Sequence, residues 1–376
     1  MKRRQGYLYC VEVFLAVRIG LVLLGFVAVA ALPSRGLVSV PGWPDQAYTP
    51  GVHNLVTPFE KQDALWFLRI ATDGYRPDDV SAAFFPLYPV AVRVVTPLVG
   101  GHPLAAGLLV SNLAFLGALL VLYSLTAREF GETLARRTVL YRSVFPTALF
   151  FFAPYSESLF LLLAVTSFWG ARRSKWWTAG LAGAGAALTR SVGLVLVPAL
   201  LVEAVHQARE GKKGLPGRLA WSLAPALGTL SYLAYWQSRD NWRAPFDIQS
   251  NWGRHLGLPW VTLAEATTDA FANGSYWMLD WLVVVPVLVA AAYGLFKLRP
   301  SYSVYAWVSV VTPLCLMFDD RPLMSLPRFV AVVFPAFWAA AFLAERRRVA
   351  HDLIVAASAA ALALLAAMFV NSWFIF

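Results

Sequence analysis

The stretch "KQDALWFLRIATDGYRPDDVSAAFFPLYPVAVRVVTPLVG" (residues 61–100) decides how this chain is threaded. It follows the first long apolar run, opens with charge and ends in a segment rich in aromatic residues and proline. If residues 84–100 crossed a bilayer, the arginine-rich segment 127–137 would fall outside, or every later basic connection would have to change sides. The segment carries Arg93 and prolines at 86, 89 and 97, and each proline fixes φ and removes a backbone donor. An interfacial helix lying along the outer leaflet resolves the conflict.

Outward from that segment the chain keeps one character. Of its 376 residues, 59% are hydrophobic and only 14% charged, against about 25% charged in a soluble domain; mean hydropathy is +0.60. Apolar runs at 11–32, 104–126, 138–153, 156–171, 176–190, 191–207, 219–237, 276–296, 302–318, 328–344 and 351–371 read as membrane spans,. Basic segments at 2–4, 127–137, 172–175, 209–218, 297–299 and 345–348 alternate with acidic or mixed connections at 33–82, 238–275 and 319–327. Because cytoplasmic loops carry the excess of Lys and Arg, the N-terminus is expected inside and the C-terminus outside.

The expectation is therefore an all-α polytopic membrane protein, a single integral domain over residues 1–376 with about 11 transmembrane helices,. A first extracytoplasmic region runs from 33 to 103 and a second from 238 to 275. The first apolar run is longer than the roughly 7–15 residues of a signal-peptide core, which favours a retained anchor. The net charge of +10 serves membrane orientation rather than nucleic acid, because it gathers at the ends of apolar runs. Cys10 and Cys315 lie inside apolar runs and build neither a disulfide framework nor a zinc site,. Short inner loops, with many Arg and Ala and few Lys, suggest a bacterial plasma membrane.

Within the opening stretch, residues 60–73 read as a short amphipathic helix,. Gln62, Arg69 and Asp73 share one stripe, while Ala64, Phe67, Leu68 and Ala71 share the opposite one,. Asp63 falls beside Phe67 and Ile70, on the flank of the apolar face. A carboxylate turned toward membrane or protein interior is costly unless a partner or a task holds it there. Two readings stand: a helix N-cap or a catalytic base. Gly74 supplies a normal stop, and Asp78 and Asp79 read as solvated loop charges. "FFPLYP" (84–89) is either an aromatic belt anchor or part of a substrate cleft.

"QDALWFLRIATDGY" followed by "AAFFPLYP" resembles the PIG-V-like mannosyltransferases, a branch of the GT-C superfamily. The likeness continues in "FFFAPYSESLF" (150–160), "ALTRSVGLVLVP" (187–198) and "SLPRFVAVVFPAF" (325–337), in the family's order. One departure matters: the residue before the Asp is Gln62, where the family usually has Trp. The resemblance implies a GT-C-type fold and an inverting transfer of mannose from polyprenyl-phosphate-mannose on the extracytoplasmic face. The acceptor is expected to be a glycolipid, polysaccharide or protein. Asp63 is then the general base on the acceptor hydroxyl, and polyprenyl phosphate leaves. A leaving phosphate needs fixed cationic donors, so no metal or other cofactor is expected.

Arg190, at a tight turn between two apolar runs, and Arg328, opening another, are expected to hold the donor phosphate. The planar guanidinium fork suits that anion better than an ammonium does, although both side chains also fit snorkelling to headgroups. Arg321 reads as an open-loop charge. In "APYSES" Ser156 can cap the following helix with Glu157 in its first turn, while the family likeness turns Tyr155 and Glu157 toward the active-site wall. Trp66, Tyr75, Phe85 and Tyr88, all inside the matched motifs, join them as expected substrate-binding residues. In the second outer loop Trp252 and Arg254 are further substrate candidates, since Trp faces stack on sugar C–H surfaces and sit equally well at interfaces. Trp260 shares that ambiguity, and His255 reads as an ordinary loop histidine.

A non-enzymatic transporter or flippase of lipid-linked sugars is the competing class. It calls for related halves with inverted hydropathy, which the sequence does not display. The same scaffold working on another polyprenyl-phosphate sugar is a third reading.

Overall fold

A computed structural model describes residues 2–36, 39–43 and 55–375. Of the expected first outer region, residues 37–38 and 44–54 lie outside the described residues. The chain opens with α1 (Lys2–Ala31), followed by α2 (Asp63–Asp73), α3 (Leu87–Val95), α4 (Pro103–Phe130), α5 (Glu132–Ser143) and α6 (Glu157–Arg172). Next come α7 (Trp176–Thr189), α8 (Leu196–Arg209), α9 (Leu215–Ser222), α10 (Ala224–Gln237) and α11 (Ala244–Asn251). The short strand β1 (Arg254–Leu256) precedes α12 (Pro259–Asn273), α13 (Ser275–Gly294) and α14 (Pro300–Leu314), and β2 (Leu316–Phe318) leads to α15 (Leu326–Val330) and α16 (Phe334–Leu343). α17 (Arg348–Val370) closes the series.

Five helical stretches among the described residues are long and apolar enough to cross a bilayer: Arg4–Ala31, Pro103–Phe130, Ser191–Arg209, Ser275–Gly294 and Arg348–Val370. The protein is an integral membrane protein; these five stretches do not establish the expected count of about 11 transmembrane helices, and several of the expected runs are divided. The run 138–153 is α5 followed by a 3-10 turn at Ala148–Phe151, because Pro146 and Pro154 interrupt the hydrogen-bond ladder. The run 219–237 divides into α9 and α10 just before Pro225, and 328–344 into α15 and α16 just before Pro335. α14 carries Pro313 and gives way to β2 within the run 302–318. Residues 84–100 form α3 and a 3-10 turn at Thr96–Val99. At about 1.5 Å per residue that is well short of a hydrocarbon core of roughly 30 Å.

Two compact units emerge. The first comprises Met1–Arg76, Pro86–Leu162 and Ala344–Ile375; the second comprises Pro77–Phe85 and Leu163–Leu343. In the first unit α1 packs on α4, α5 and α17, around buried Phe59, Leu68, Phe115, Tyr123, Phe150 and Phe369. In the second, Phe168, Tyr302, Phe334 and Trp338 form an edge-to-face cluster, with Tyr302 and Trp338 ring centroids 4.7 Å apart.

Small residues let α7 and α10 approach closely, as expected where lipid offers no hydrophobic drive. A Cβ on Gly183 would come 2.7 Å from Pro225 Cγ, and one on Gly228 would strike the Ala184 carbonyl.

A polar clasp joins α6, α8 and α14 in the same unit. The fully buried Glu203 accepts hydrogen bonds from Gln207 Nε2 (2.8 Å), Ser301 Oγ (2.7 Å) and Arg172 Nη1 (3.0 Å). Arg299 reaches it through Nη2 at 3.4 Å and reaches Glu210 through Nη1 at 2.9 Å. Removing one partner of a buried ionic network costs about 3–5 kcal/mol, because the remaining charges lose their compensation. Glu203→Ala is accordingly expected to lower the unfolding temperature in detergent substantially. An unchanged unfolding midpoint would show the clasp to be dispensable.

Candidate active site

α2 begins at Asp63, which is therefore the first helical residue and not the N-cap; Gln62 holds that position and makes no side-chain cap bond. The cap reading of Asp63 is corrected on that point. Gln62 has φ 55° and ψ −126°, a region that suits glycine rather than a residue with a Cβ. The first turn tightens, with Ala64 N–H donating to Lys61 O (3.1 Å) and Leu65 N–H to Gln62 O (3.1 Å). Asp63 and Trp66 stay half-exposed while Ala64, Leu65, Phe67, Leu68 and Ile70 are buried.

The expected polar stripe of this helix is only partly open. Arg69 is fully buried, its guanidinium 4.9 Å from the Trp66 ring centroid. Glu60, Lys61 and Glu157 are also fully buried, and Glu60 Oε1 accepts from Trp43 Nε1 at 2.8 Å. With Arg18 and Arg142, two carboxylates and four cations thus lie buried among the described residues of the unit that carries α2, where a charge is costly unless it is paired and hydrogen-bonded. Tyr75, just beyond the helix, is half-buried. Asp79 is no free loop charge: its Oδ1 accepts from Ser81 N–H at 2.7 Å and caps a 3-10 turn.

Tyr88 and Tyr155 are fully buried. Tyr155 Oη donates to Lys61 O at 3.1 Å, two residues before Asp63. Its ring meets Phe67 and Phe150, with centroids 6.1 and 4.8 Å away. Tyr88 Oη lies 3.1 Å from Gly107 O and 2.8 Å from Ser111 Oγ, and its ring is 5.0 Å from that of Phe67. Desolvation holds the Tyr88 phenol above its ordinary pKa, so it stays protonated,.

The non-helical stretch around Phe151–Tyr155 has its carbonyls served by side chains, which irregular backbone in a membrane protein requires. Arg18 Nη2 and Ser158 Oγ donate to Phe151 O (2.9 and 3.0 Å), Asn112 Nδ2 to Phe152 O (3.0 Å), and Ser111 Oγ to Tyr155 O (3.2 Å).

The second unit gathers the cationic candidates. Arg190 sits in extended backbone between α7 and the turn Ser191–Val195. Arg328 lies in α15 and Arg254 in β1, opposite Phe318 in the antiparallel register. The three guanidinium carbons lie 5.0 (Arg190), 5.4 (Arg328) and 5.9 Å (Arg254) from the ring centroid of Phe329. Arg254 also lies 4.5 Å from the Phe318 ring and 5.9 Å from the Trp252 ring. All three arginines are half-buried. Gathering three forks around one aromatic ring makes a cation-rich surface suited to a phosphate or other oxyanion.

Phe85 is buried against Tyr232, ring centroids 4.7 Å apart, and Tyr232 Oη reaches Ala82 O (2.9 Å) and Phe84 O (3.2 Å). Trp252 is 38% exposed and its ring meets that of Phe84 at 6.5 Å. His255 Nδ1 lies 3.5 Å from Asp319 Oδ1, both side chains exposed.

Arg321 is not an open-loop charge. It is buried and bound through two nitrogens to Asp280, Nε to Oδ2 at 2.6 Å and Nη2 to Oδ1 at 2.8 Å. The signal was present in the sequence: Asp280 lies inside the apolar run 276–296, and an acid there calls for a cationic partner. Arg18, inside the run 11–32, carried a similar signal.

A family model described as mannosyltransferase (PIG-V) matches residues 12–212. No curated protein matches the chain by sequence. Among solved structures, the chain is similar to ArnT from Cupriavidus metallidurans bound to undecaprenyl phosphate, at 16% identity and a TM-score of 0.54. The match covers 97% of this chain and 76% of that one. The apo state of the same protein gives 18% identity and a TM-score of 0.51 over the same shares. At these identities the likeness establishes the fold alone.

Proposed function

The chain belongs to the PIG-V mannosyltransferase family, and on that premise we infer that it transfers mannose from polyprenyl-phosphate-mannose to a lipid- or polymer-linked acceptor on the extracytoplasmic face. Asp63 carries the reading. It is a half-exposed carboxylate on the first residue of a helix whose other near residues are mostly buried and whose start is held by the Tyr155 hydroxyl on Lys61 O.

In the reaction, an acceptor hydroxyl oxygen attacks the anomeric carbon of mannose as the bond from that carbon to the phosphate oxygen breaks, so the centre inverts. The hydroxyl proton passes to the Asp63 carboxylate, and the polyprenyl phosphate leaves with the bonding pair. A charge that grows on the departing phosphate is best met by donors already in place. Arginine forks such as those around Phe329 are suited to that role without a proton transfer, and the undecaprenyl phosphate bound to the structurally similar ArnT supports a polyprenyl carrier. Trp66, half-exposed, and Trp252, exposed, are residues of a type suited to stack on sugar. Tyr88 and Tyr155, being buried, act by fixing α2, and no divalent metal is needed for these steps.

The test uses purified protein in proteoliposomes with labelled polyprenyl-phosphate-mannose and a membrane glycolipid extract as acceptor. New label in a glycosidic product is expected. Passage of the labelled donor across the bilayer without a new bond would replace this reading with the transporter, and transfer from a different polyprenyl-phosphate sugar alone would change the donor.

A further inference from the structure

Gln62 combines two features that point the same way: a backbone conformation it does not favour and a side chain tied to the far end of the chain. At φ 55° and ψ −126° its Cβ is crowded, a strain of about 1–3 kcal/mol that persists only where the surroundings fix it. The ties are on both sides of the residue. Lys61 O, one residue before, accepts from Tyr155 Oη at 3.1 Å. Gln62 O accepts from Leu65 N–H at 3.1 Å. The side-chain amide then donates from Nε2 to Trp373 O at 3.0 Å.

The acceptor is itself held. Trp373 N–H donates to Met368 O at 3.0 Å, and Arg35 N–H to Asn371 O at 3.0 Å. The Arg35 guanidinium lies 3.8 Å from the Trp373 ring centroid. Asn371 Nδ2 adds bonds to Ala28 O (3.2 Å) and Ala367 O (2.9 Å). The turn after α17 is thus a fixed anchor joined to the end of α1, and it presents one carbonyl to the residue before Asp63. All of these residues belong to the first unit.

We propose that Gln62 is a positioning residue: tethered to the Trp373 carbonyl, it holds the backbone at residue 62 in its glycine-like conformation and so sets the direction in which the Asp63 carboxylate leaves the first turn of α2. A carboxylate on a helix's first residue swings with the φ and ψ of the residue before it, since that residue orients the first turn. Relaxing Gln62 to an ordinary β-region φ would re-aim Asp63 without touching any substrate. This rests on Asp63 being the base. It gives a use for Gln62 itself, since an amide of this length supplies the donor that the anchored carbonyl accepts.

The test compares kcat and donor KM for Gln62→Ala and Gln62→Gly, each alone and combined with Asp63→Asn, in membranes with labelled polyprenyl-phosphate-mannose. Gln62→Ala loses the tether yet keeps the Cβ, so the backbone relaxes. It is expected to lower kcat about tenfold or more, the effect of a misplaced catalytic group, with donor KM within about twofold. Gln62→Gly accepts the positive φ without strain and is expected to recover most of the loss. In the Asp63→Asn background Gln62→Ala should have no further effect, because nothing remains to be aimed. Wild-type kcat in Gln62→Ala overturns the proposal, as does an equal fractional loss with Asn at position 63. Full turnover in Asp63→Asn alone instead removes the base reading, and the proposal with it.

Discussion

Replacing Asp63 by Asn is expected to reduce transfer from polyprenyl-phosphate-mannose by about 10²–10⁴-fold in kcat, the usual contribution of a positioned general base. The substitution keeps the size and shape of the side chain and leaves α2 its first residue. The amide cannot take the acceptor's proton, so attack on the anomeric carbon loses its base while donor binding is untouched. Donor KM should therefore stay close to that of the unchanged protein, which separates lost chemistry from lost binding. The unfolding temperature should also hold, because Asp63 is half-exposed while the buried residues around it supply the packing. Asp63→Glu retains a carboxylate but displaces it by one methylene, and is expected to fall between the two. Turnover at the unchanged rate in Asp63→Asn, at equal protein level, would remove Asp63 as the base.

How far the sequence carried depends on the distance over which each feature is decided. α2 was legible because its periodicity and its Gly74 stop are local, and the structure places it at Asp63–Asp73 within the expected 60–73. Its burial was not. Arg69 lies on the stripe that the pattern marks as polar, yet it is fully buried, because other segments of the chain cover that face.

Periodicity gives the direction of a side chain about its own helix axis and says nothing of what lies beyond. The same limit hid the roles of Tyr155 and Gln62, whose hydrogen-bond partners stand 94 and 311 residues away along the chain. Proline positions, by contrast, are local and readable. Pro146, Pro154, Pro225 and Pro335 mark where apolar runs divide, and hydropathy summed over a window passes over them. Arg190, Arg254 and Arg328 each stand out singly in the sequence for their chemistry. Only the fold brings them around Phe329, and neither spacing nor hydropathy encodes that convergence.

The arginine cluster yields the second large effect. Arg328→Ala is expected to raise donor KM by about 10- to 100-fold, since a hydrogen bond to a charged group contributes about 1.5–3 kcal/mol and each 1.4 kcal/mol is about a factor of ten. Arg328→Lys keeps the charge but loses the planar fork, so it should recover only part of the loss. Arg190→Ala and Arg254→Ala should act in the same direction. Pairs among the three should not combine additively, because groups that share one ligand are coupled. Inhibition by free polyprenyl phosphate gives an independent reading: its inhibition constant should rise in parallel with donor KM, since the phosphate is common to donor and leaving group. A variant that lowers kcat while leaving both constants unchanged would place that arginine outside the phosphate contact. If all three behave so, the cluster serves the protein's own packing, with Phe329 as the shared ring that the guanidinium groups cover.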